Sequence, residues 1–295
     1  MRVHKSFAEQ LFNIGNIAVM CLVCMTIIYP FWQQVVLSFS RPEDAQLIGL
    51  HLYTTHPTLD SFRRIFMGST IYKAYYWTIV RTVLGTILTV GVTTMMAYPL
   101  AKVYLLGRKF WMWIVVFTMF FSGGLVPTYL LVKNLHLTNT IWSLVLPGLV
   151  SAWNIIIIRN FYYSIPDELE ESARMDGAHD MYIFVRIIFP LSAPVIATVT
   201  LWTLVGNWNA WFDALMYITN NKIKVLQIVL REVLNDANQM SGANPSDVAE
   251  LAGQQYTPES IKAAILMVVI LPIVCVYPFL QKYFVKGIMV GAVKG

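Results

Sequence analysis

Residues 165–178 read IPDELEESARMDGA, a polar and acidic stretch set between two long apolar runs. Pro166 suits the first turn of a helix, where its missing N–H leaves no bond unmade. The carboxylates that follow it fall in the N-terminal turns, where the helix dipole favours negative charge. Gly177 suits the left-handed residue that ends a helix. The stretch predicts a short acidic helix, and a second helical run over 182–188 would complete a helix–turn–helix suited to docking a soluble partner.

The chain around this stretch is more apolar than a soluble domain. Of its 295 residues, 57% are hydrophobic and 13% are charged, and the mean hydropathy is +0.60. Soluble domains have about 45–50% apolar and about 25% charged residues. The excess forms runs of roughly the 20 residues that a membrane-spanning helix needs. Six spans are predicted, at residues 14–39, 75–99, 110–132, 140–159, 192–218 and 263–284.

The first of these runs is not expected to be a cleaved signal peptide. Residues 14–39 exceed the apolar core of about 7–15 residues that a signal peptide has, and no small-residue cleavage site follows. We expect a retained first span.

Basic residues predict the orientation of the spans. Cytoplasmic loops carry an excess of Lys and Arg, which counts most in short loops. The 100–109 loop carries Lys102, Arg108 and Lys109, whereas the 133–139 loop carries Lys133 alone. We therefore expect both termini in the cytoplasm. The predicted parts are a cytoplasmic N-terminus (1–13), a transmembrane domain (14–284) with an inner loop (164–182) and outer loops (40–72 and 219–262), and a cytoplasmic tail (285–295).

Prolines interrupt four of the predicted spans, at Pro30, Pro127, Pro147 and Pro272. Broken helices are tolerated at membrane depth where neighbouring groups satisfy the freed backbone. The prolines indicate either a transport pathway or ordinary kinks that help packing.

The outer loop 219–262 begins with a helical pattern. Apolar residues at 226, 229, 230 and 233 form one stripe, and a polar stretch follows over 235–255. We expect a short amphipathic helix and then an exposed loop, which either contacts something outside the membrane or is an inert linker.

The segment 171–190 resembles a known motif. Glu171-Ser172-Ala173, then Gly177, then Ile187 and Phe189-Pro190 are similar to the EAA loop of ATP-binding-cassette (ABC) importer permeases. The family pattern is E-A-A, three residues, G, nine residues, I, one residue, L-P, and the spacing agrees throughout. Ser172 replaces Ala and Phe189 replaces Leu, and both substitutions preserve size or apolarity.

The resemblance extends over the whole chain. Arg159-Asn160-Phe161, the run 208–212 (WNAWF) and the tail 291–295 (GAVKG) are similar to maltose-type sugar permeases. The run 120–129 (FFSGGLVPTY) resembles the subgroup that handles complex oligo- and polysaccharides, and within it the chain is similar to the smaller permease of alginate importers.

This resemblance implies a fold and a mechanism. The fold would be an all-α membrane protein, a type I ABC importer permease with six transmembrane helices and a cytoplasmic coupling helix in the 164–182 loop. It would lie in the cytoplasmic (inner) membrane of a bacterium and translocate an oligo- or polysaccharide, such as alginate or another acidic saccharide, by alternating access. The residues implied to couple the chain to an ATPase are Glu170, Glu171, Ser172, Ala173, Asp176 and Gly177.

The resemblance also implies partners. A second, homologous permease would complete a heterodimer, two ATP-binding-cassette ATPases would dock beneath, and an extracytoplasmic solute-binding protein would deliver the saccharide. ATP and Mg²⁺ would be bound by the ATPase, and this chain has no G-x-x-x-x-G-K-[ST] phosphate loop. No cofactor is expected in the chain itself, and membrane lipid would surround it.

Span five carries the candidate substrate contacts. Trp202, Gly206, Asn209 and Asp213 would share one face of a continuous helix. Polar residues at membrane depth usually face a cavity, so we predict that Asn209 and Asp213, with Trp208 or Trp211 nearby, line the pathway. The alternative is that they bridge helices.

Arg81 is a basic residue well inside a predicted span. Its side chain either extends to the outer headgroups or faces an anionic sugar.

Other classes of protein stay open from the residues alone. A secondary transporter or channel for a small polar solute would need intramembrane carboxylates, and only Asp213 lies within a predicted span. A membrane-bound enzyme or a scaffold is the other class, but neither H-E-x-x-H nor G-x-S-x-G occurs and the five histidines are scattered. No catalytic residue, metal site or nucleic-acid partner is expected.

Overall fold

The computed structural model describes residues 7–45, 49–220, 222–241 and 257–292. Within these ranges the regular structure is helical, apart from one isolated β-bridge between Ser40 and Pro57. The helices are α1 Phe7–Ser38, α2 Pro42–Ala45, α3 Asp60–Phe66, α4 Ser69–Ala101, α5 Arg108–Phe120, α6 Leu125–Asn134, α7 Trp142–Val145, α8 Ala152–Tyr163, α9 Glu168–Met175, α10 Asp180–Ile183, a π-helix Phe184–Ile188, α11 Phe189–Leu191, α12 Ala193–Asn209, α13 Phe212–Tyr217, α14 Leu226–Ser241 and α15 Pro258–Ala292.

One compact unit combines residues 1–69 with 230–270. Its α1 is an apolar helix of 32 residues, and no residue of its most apolar window is buried. Near the end of α1, Leu37 packs with Ala45 and Ala263. The hydroxyls of Ser61 and Ser260 lie 3.0 Å apart in the same unit. Apolar contacts therefore join α1 to the start of α15, and a buried hydroxyl pair joins α3 to it.

The segment after α2 is organised by the carboxylate of Asp44. It accepts hydrogen bonds from the hydroxyls of Thr55 and Thr54, at 2.7 and 2.8 Å, and from the backbone N–H of His56 at 3.0 Å. These donors, led by Thr55, hold the pKa of Asp44 well below its usual range. A depressed carboxyl pKa stabilises the fold above the unfolded value of about 3.9, and that contribution disappears as the pH falls through the folded value.

The other unit combines residues 70–229 with 271–295, and α4 is its longest helix that is described from end to end. One face of α4 is buried and rich in hydroxyls, at Thr78, Thr82, Thr86, Thr89 and Thr93. The other face exposes Ile79, Val83 and Ile87. This division suits a helix that faces lipid on one side, because small hydroxylated residues allow close approach of helices within a membrane.

An apolar core forms where the C-terminal part of α4 meets α5, α8, α10, the π-helix and α12. Its most deeply buried side chains are Ala97, Ile155, Ile158, Ile183, Ile188 and Val199. Ala173 and Ala178, from α9 and the turn after it, pack against this core. The core therefore packs against the buried side of the predicted docking helix.

The six predicted spans are only partly present. Three helices are long and apolar enough to cross a membrane, at Phe7–Ser38, Ser69–Ala101 and Pro258–Pro278. Among the described residues the total is five if each of two bent pairs is one span: Arg108–Phe120 with Leu125–Asn134, bent by 110°, and Asp180–Leu191 with Ala193–Asn209, bent by 80°. The predicted span 140–159 forms two short helices instead, α7 and α8, because Pro147 and Gly148 separate them.

The amphipathic helix predicted over the stripe 226–233 is confirmed, but it extends through 235–241, where the sequence predicts a polar loop. It is α14, which buries Leu226 and Val229 of the apolar stripe and continues to Ser241. The rest of the predicted polar stretch, 242–255, lies outside the described residues, as do the last three residues of the predicted tail. The tail from residue 285 to Ala292 continues α15 as helix.

Candidate functional site

The first candidate site is α9 and the turn that ends it. The helix runs from Glu168 to Met175. At its end, the N–H of Gly177 donates to the carbonyl of Arg174 and the N–H of Ala178 to that of Ala173, both at 2.9 Å. This is the Schellman pattern, and Gly177 has the left-handed φ of +81° that it requires. The prediction of a short helix ended by Gly177 is confirmed.

Two adjacent glutamates of α9, Glu170 and Glu171, face opposite ways. Glu170 is 6% exposed and forms a buried ion pair with Lys102, which follows α4 directly. The hydroxyl of Tyr98 lies 3.5 Å from the same carboxylate, and the Lys102 ammonium lies 5.0 Å from the Tyr98 ring. Glu171 is exposed. Glu170 therefore connects α9 to α4, and Glu171 is available to a partner.

A second connection lies nearer the surface. The guanidinium of Arg174 donates to the Tyr104 hydroxyl at 2.6 Å and to the Asp180 carboxylate at 2.7 Å, and lies over the Tyr104 ring. Burial raises the pKa of the Tyr104 hydroxyl. The Arg174–Asp180 pair is 40% and 56% exposed, so it contributes about 0–1 kcal/mol. Removing one partner of a buried pair such as Lys102–Glu170 costs about 3–5 kcal/mol. The Lys102–Glu170 pair is therefore the stronger of the two connections that hold α9 in place.

The remaining predicted coupling residues divide between the two faces of α9. Ala173 is partly buried against the core. Ser172, Asp176 and Gly177 are exposed, and the Ser172 hydroxyl donates to the carbonyl of Glu168 at 2.8 Å. Met175 is 89% exposed. The exposed face of α9 thus combines acidic groups with a large apolar side chain.

The second candidate site is a break in predicted span five. α12 ends at Asn209, Ala210 is extended, and α13 begins at Phe212. Arg81 of α4 is 2% exposed. It donates to the carbonyl of Ala210 at 2.8 Å and forms an ion pair with Asp213. A break leaves backbone carbonyls without helical partners, and a neighbouring side chain can satisfy them.

This break corrects two predictions. Asp213 does not share a helical face with Trp202, Gly206 and Asn209, because the chain turns out of the helix at Ala210. Arg81 does not extend to the headgroups, because its guanidinium is held inside the protein by Ala210 and Asp213. The sequence offered no direct signal for the pairing, since 132 residues separate Arg81 from Asp213.

The other predicted pathway residues lie around the break. Trp208 is 5% exposed and packs near the ring of Tyr75. Asn209 is exposed, and its side-chain oxygen Oδ1 lies 3.5 Å from the side-chain nitrogen Nε2 of Gln227. Trp211 is partly exposed and packs edge-on against Phe212. Asn209 and Trp211 are therefore the accessible members, and substrate contact stays a prediction for all five residues.

Comparisons with known proteins agree with these features. A family model described as binding-protein-dependent transport system inner membrane component matches residues 65–290. The chain is 39% identical over 282 residues to the polygalacturonan/rhamnogalacturonan transport system permease protein YtcP of Bacillus subtilis, covering 95% of this chain and 96% of that protein. It is also 39% identical over 295 residues to protein LplC of Bacillus subtilis, covering 99% of this chain and 98% of that protein.

A solved structure also matches. It is the crystal structure of a bacterial ABC transporter involved in the import of the acidic polysaccharide alginate, which superposes with a TM-score of 0.88 at 29% identity. The match covers 96% of this chain and 99% of that one.

Proposed function

Because the chain belongs to the family of binding-protein-dependent transport system inner membrane components, we propose that it forms part of the pathway by which an ABC importer takes up an acidic oligo- or polysaccharide. The chain is a permease component of the inner membrane, not the catalytic subunit. The relatives named for polygalacturonan/rhamnogalacturonan and for alginate support an acidic saccharide as the substrate. The partners in this proposal are a second permease, two ATPases and a solute-binding protein outside the membrane.

The orientation of α9 is the observation that carries the proposal. Its exposed face presents Glu171 and Met175, whereas its buried face joins α4 through the Glu170–Lys102 pair. A docked ATPase that moved α9 would therefore move the end of α4 with it. α4 also carries Arg81, which holds the break in span five. Coupling between distant sites can be carried by a continuous series of packed and hydrogen-bonded groups, and α9, α4 and the break form one.

Glu171→Lys tests the docking face. The reversed charge on the exposed face of α9 should release the ATPase or leave its hydrolysis unable to drive uptake. Membrane insertion should survive, because the side chain is not buried. Uptake into proteoliposomes and co-purification of the ATPase measure the two effects. Glu43→Lys is the matched control, since it makes the same charge change at an exposed residue of α2. Full uptake and assembly in Glu171→Lys would refute the docking role.

The saccharide is tested with the assembled transporter and its solute-binding protein. ATPase activity in proteoliposomes should be stimulated by oligomers of a uronic acid and not by neutral oligosaccharides of the same length. Equal stimulation by both kinds would remove the acidic part of the proposal and keep the saccharide part. No stimulation by any saccharide would overturn the substrate class.

A further inference from the structure

A cationic cavity lies beside the candidate coupling site and has no role in the proposed mechanism. It has a volume of about 310 Å³ and lies where α5 begins, against α8. Its lining is Arg108, Lys109, Met112, Trp113, Val116 and Arg159. Three of these six residues are cations and none is an acid, so the cavity is strongly positive.

The positive charge is not neutralised by the protein around it. Arg159 donates to the carbonyl of Leu100 at 2.9 Å, the hydroxyl of Tyr163 at 3.1 Å and the amide oxygen of Asn160 at 3.4 Å. These acceptors are all uncharged. The ion pairs among the described residues include none of the three cations of the cavity. An anion from outside the chain would complete this set of charges.

Arg108 independently favours an anionic ligand. Its guanidinium lies 5.5 Å from the ring of Tyr163, and that of Arg159 lies 4.6 Å from the same ring. The Nη1 atom of Arg108 is buried and has no hydrogen-bond partner among the described residues. Buried guanidinium N–H groups are normally paired, and phosphate oxygens are acceptors that suit their geometry.

The surface beyond the cations is apolar and aromatic. Trp113 is 61% exposed and stacks on Phe117, which in turn stacks on Phe121, with ring centroids 5.3 and 5.1 Å apart. This row of rings runs along α5, half of one of the bent candidate spans. A ligand that lies along it needs an anionic head and an apolar tail. Aromatic residues at helix ends and basic pockets between membrane helices are both typical of contact with lipid headgroups.

We propose that this cavity, defined by Arg108, Lys109 and Arg159, binds the phosphate of an anionic phospholipid, with the acyl chains along the aromatic row of α5. Tyr163 contacts both guanidiniums and also lines the space beside Glu171. The lipid would therefore lie next to the helix that carries the docking face. The proposal does not depend on which saccharide is transported.

Native mass spectrometry of the assembled transporter, titrated with phosphatidylglycerol and phosphatidylcholine of equal chain length, tests the site. The wild type should retain phosphatidylglycerol in preference, and Arg108→Gln should reduce that preference about fivefold. Arg108→Lys should keep most of it. Lys133→Gln is the matched control, since it removes an exposed cation from the end of α6. Inorganic phosphate, added alone, should not displace the bound lipid.

Three results would overturn the proposal. The first is the absence of an effect of charge. The wild type would retain the two lipids equally, or Arg108→Gln and Lys109→Gln would both keep the full wild-type preference for phosphatidylglycerol. The second is displacement of phosphatidylglycerol by inorganic phosphate, which would make the cavity a site for free phosphate. The third is release of the ATPase by Arg108→Gln with lipid retention unchanged, which would make it a protein contact.

Discussion

Ion pairs explain how the unit that combines residues 70–229 with 271–295 holds charged side chains inside the protein. An ion inside the protein is tolerated when a partner and hydrogen bonds compensate for its lost hydration. Arg81 meets this condition with Asp213 and the carbonyl of Ala210, and Lys102 meets it with Glu170. Each pair joins α4 to a segment far away in the sequence. The pairs therefore place α4 between the candidate docking helix and the candidate pathway.

Arg81→Met should destabilise the protein by about 1–3 kcal/mol, because it leaves the partly buried Asp213 without its partner and the Ala210 carbonyl without its donor. The double variant Arg81→Met/Asp213→Leu should recover a large part of that loss. Thermal unfolding of the purified complex measures both. Arg63→Met is the matched control, since its pair with Asp60 is 74% exposed on the Arg63 side and should contribute less than about 1 kcal/mol. An Arg81→Met protein as stable as the wild type would contradict a structural role for the pair.

The same position also tests charge recognition. Uptake of acidic and neutral saccharides by Arg81→Gln separates the two roles of the guanidinium. Loss confined to acidic saccharides would indicate substrate contact, whereas equal loss for both would leave Arg81 with the structural role alone.

At the scale of the element, α9 depends on how it ends. The Schellman turn places Ala178 against the core and returns the chain to α10, so the direction of the docking helix is set by one left-handed residue. Gly177 has no neighbouring atom within 4 Å of the position of a β-carbon. A side chain there meets no steric contact, and its cost comes from the backbone conformation alone.

Gly177→Ala should therefore weaken the end of α9 by about 1–2 kcal/mol, the cost of the left-handed conformation for a residue with a β-carbon. ATPase co-purification should fall, and Gly177→Asn should be milder because Asn tolerates this conformation better. Gly91→Ala is the control, since Gly91 lies within α4 with open space around it and normal helical φ. Unchanged coupling in Gly177→Ala would show that the turn is not needed for docking.

At the scale of the whole molecule, the number of membrane crossings depends on the bent pairs. The chain bends by 110° between α5 and α6, so together they are either one broken span or a re-entrant loop. The basic residues favour a crossing, since three of them lie at or just before the start of α5 and only one lies near the end of α6.

Cysteine labelling tests this topology. With Cys21, Cys24 and Cys275 replaced, Leu106→Cys should react with a membrane-impermeant thiol reagent from the cytoplasmic side and Asn134→Cys from the outer side. Both positions are exposed, and the three native cysteines are free thiols. Sealed vesicles of both orientations give the comparison. Labelling of both positions from one side would make α5–α6 a re-entrant loop and would leave the six-span prediction wrong at this point.

Local features of the chain could be predicted from the sequence, because each depends on residues close together. The long apolar runs predicted α1, α4 and α15, since the length of an apolar run decides whether a helix can cross a membrane. Gly177 predicted the end of α9, because glycine adopts the left-handed backbone that ends a helix. Pro166 marked the start only approximately, since it lies two residues before the first helical residue, Glu168, and not in the first turn. The spaced motif that follows indicated the family, which the comparisons confirm.

Only the tertiary structure decided which way the polar groups face. Glu170 and Glu171 are neighbours with the same chemistry, and their opposite roles depend on where Lys102 lies. The break at Ala210 likewise cannot be read from the apolar run around it, because it is stabilised by Arg81 from another helix. A buried charge or a freed carbonyl is tolerated only when a distant residue supplies the missing partner, and the order of residues along the chain does not reveal which distant residue that is.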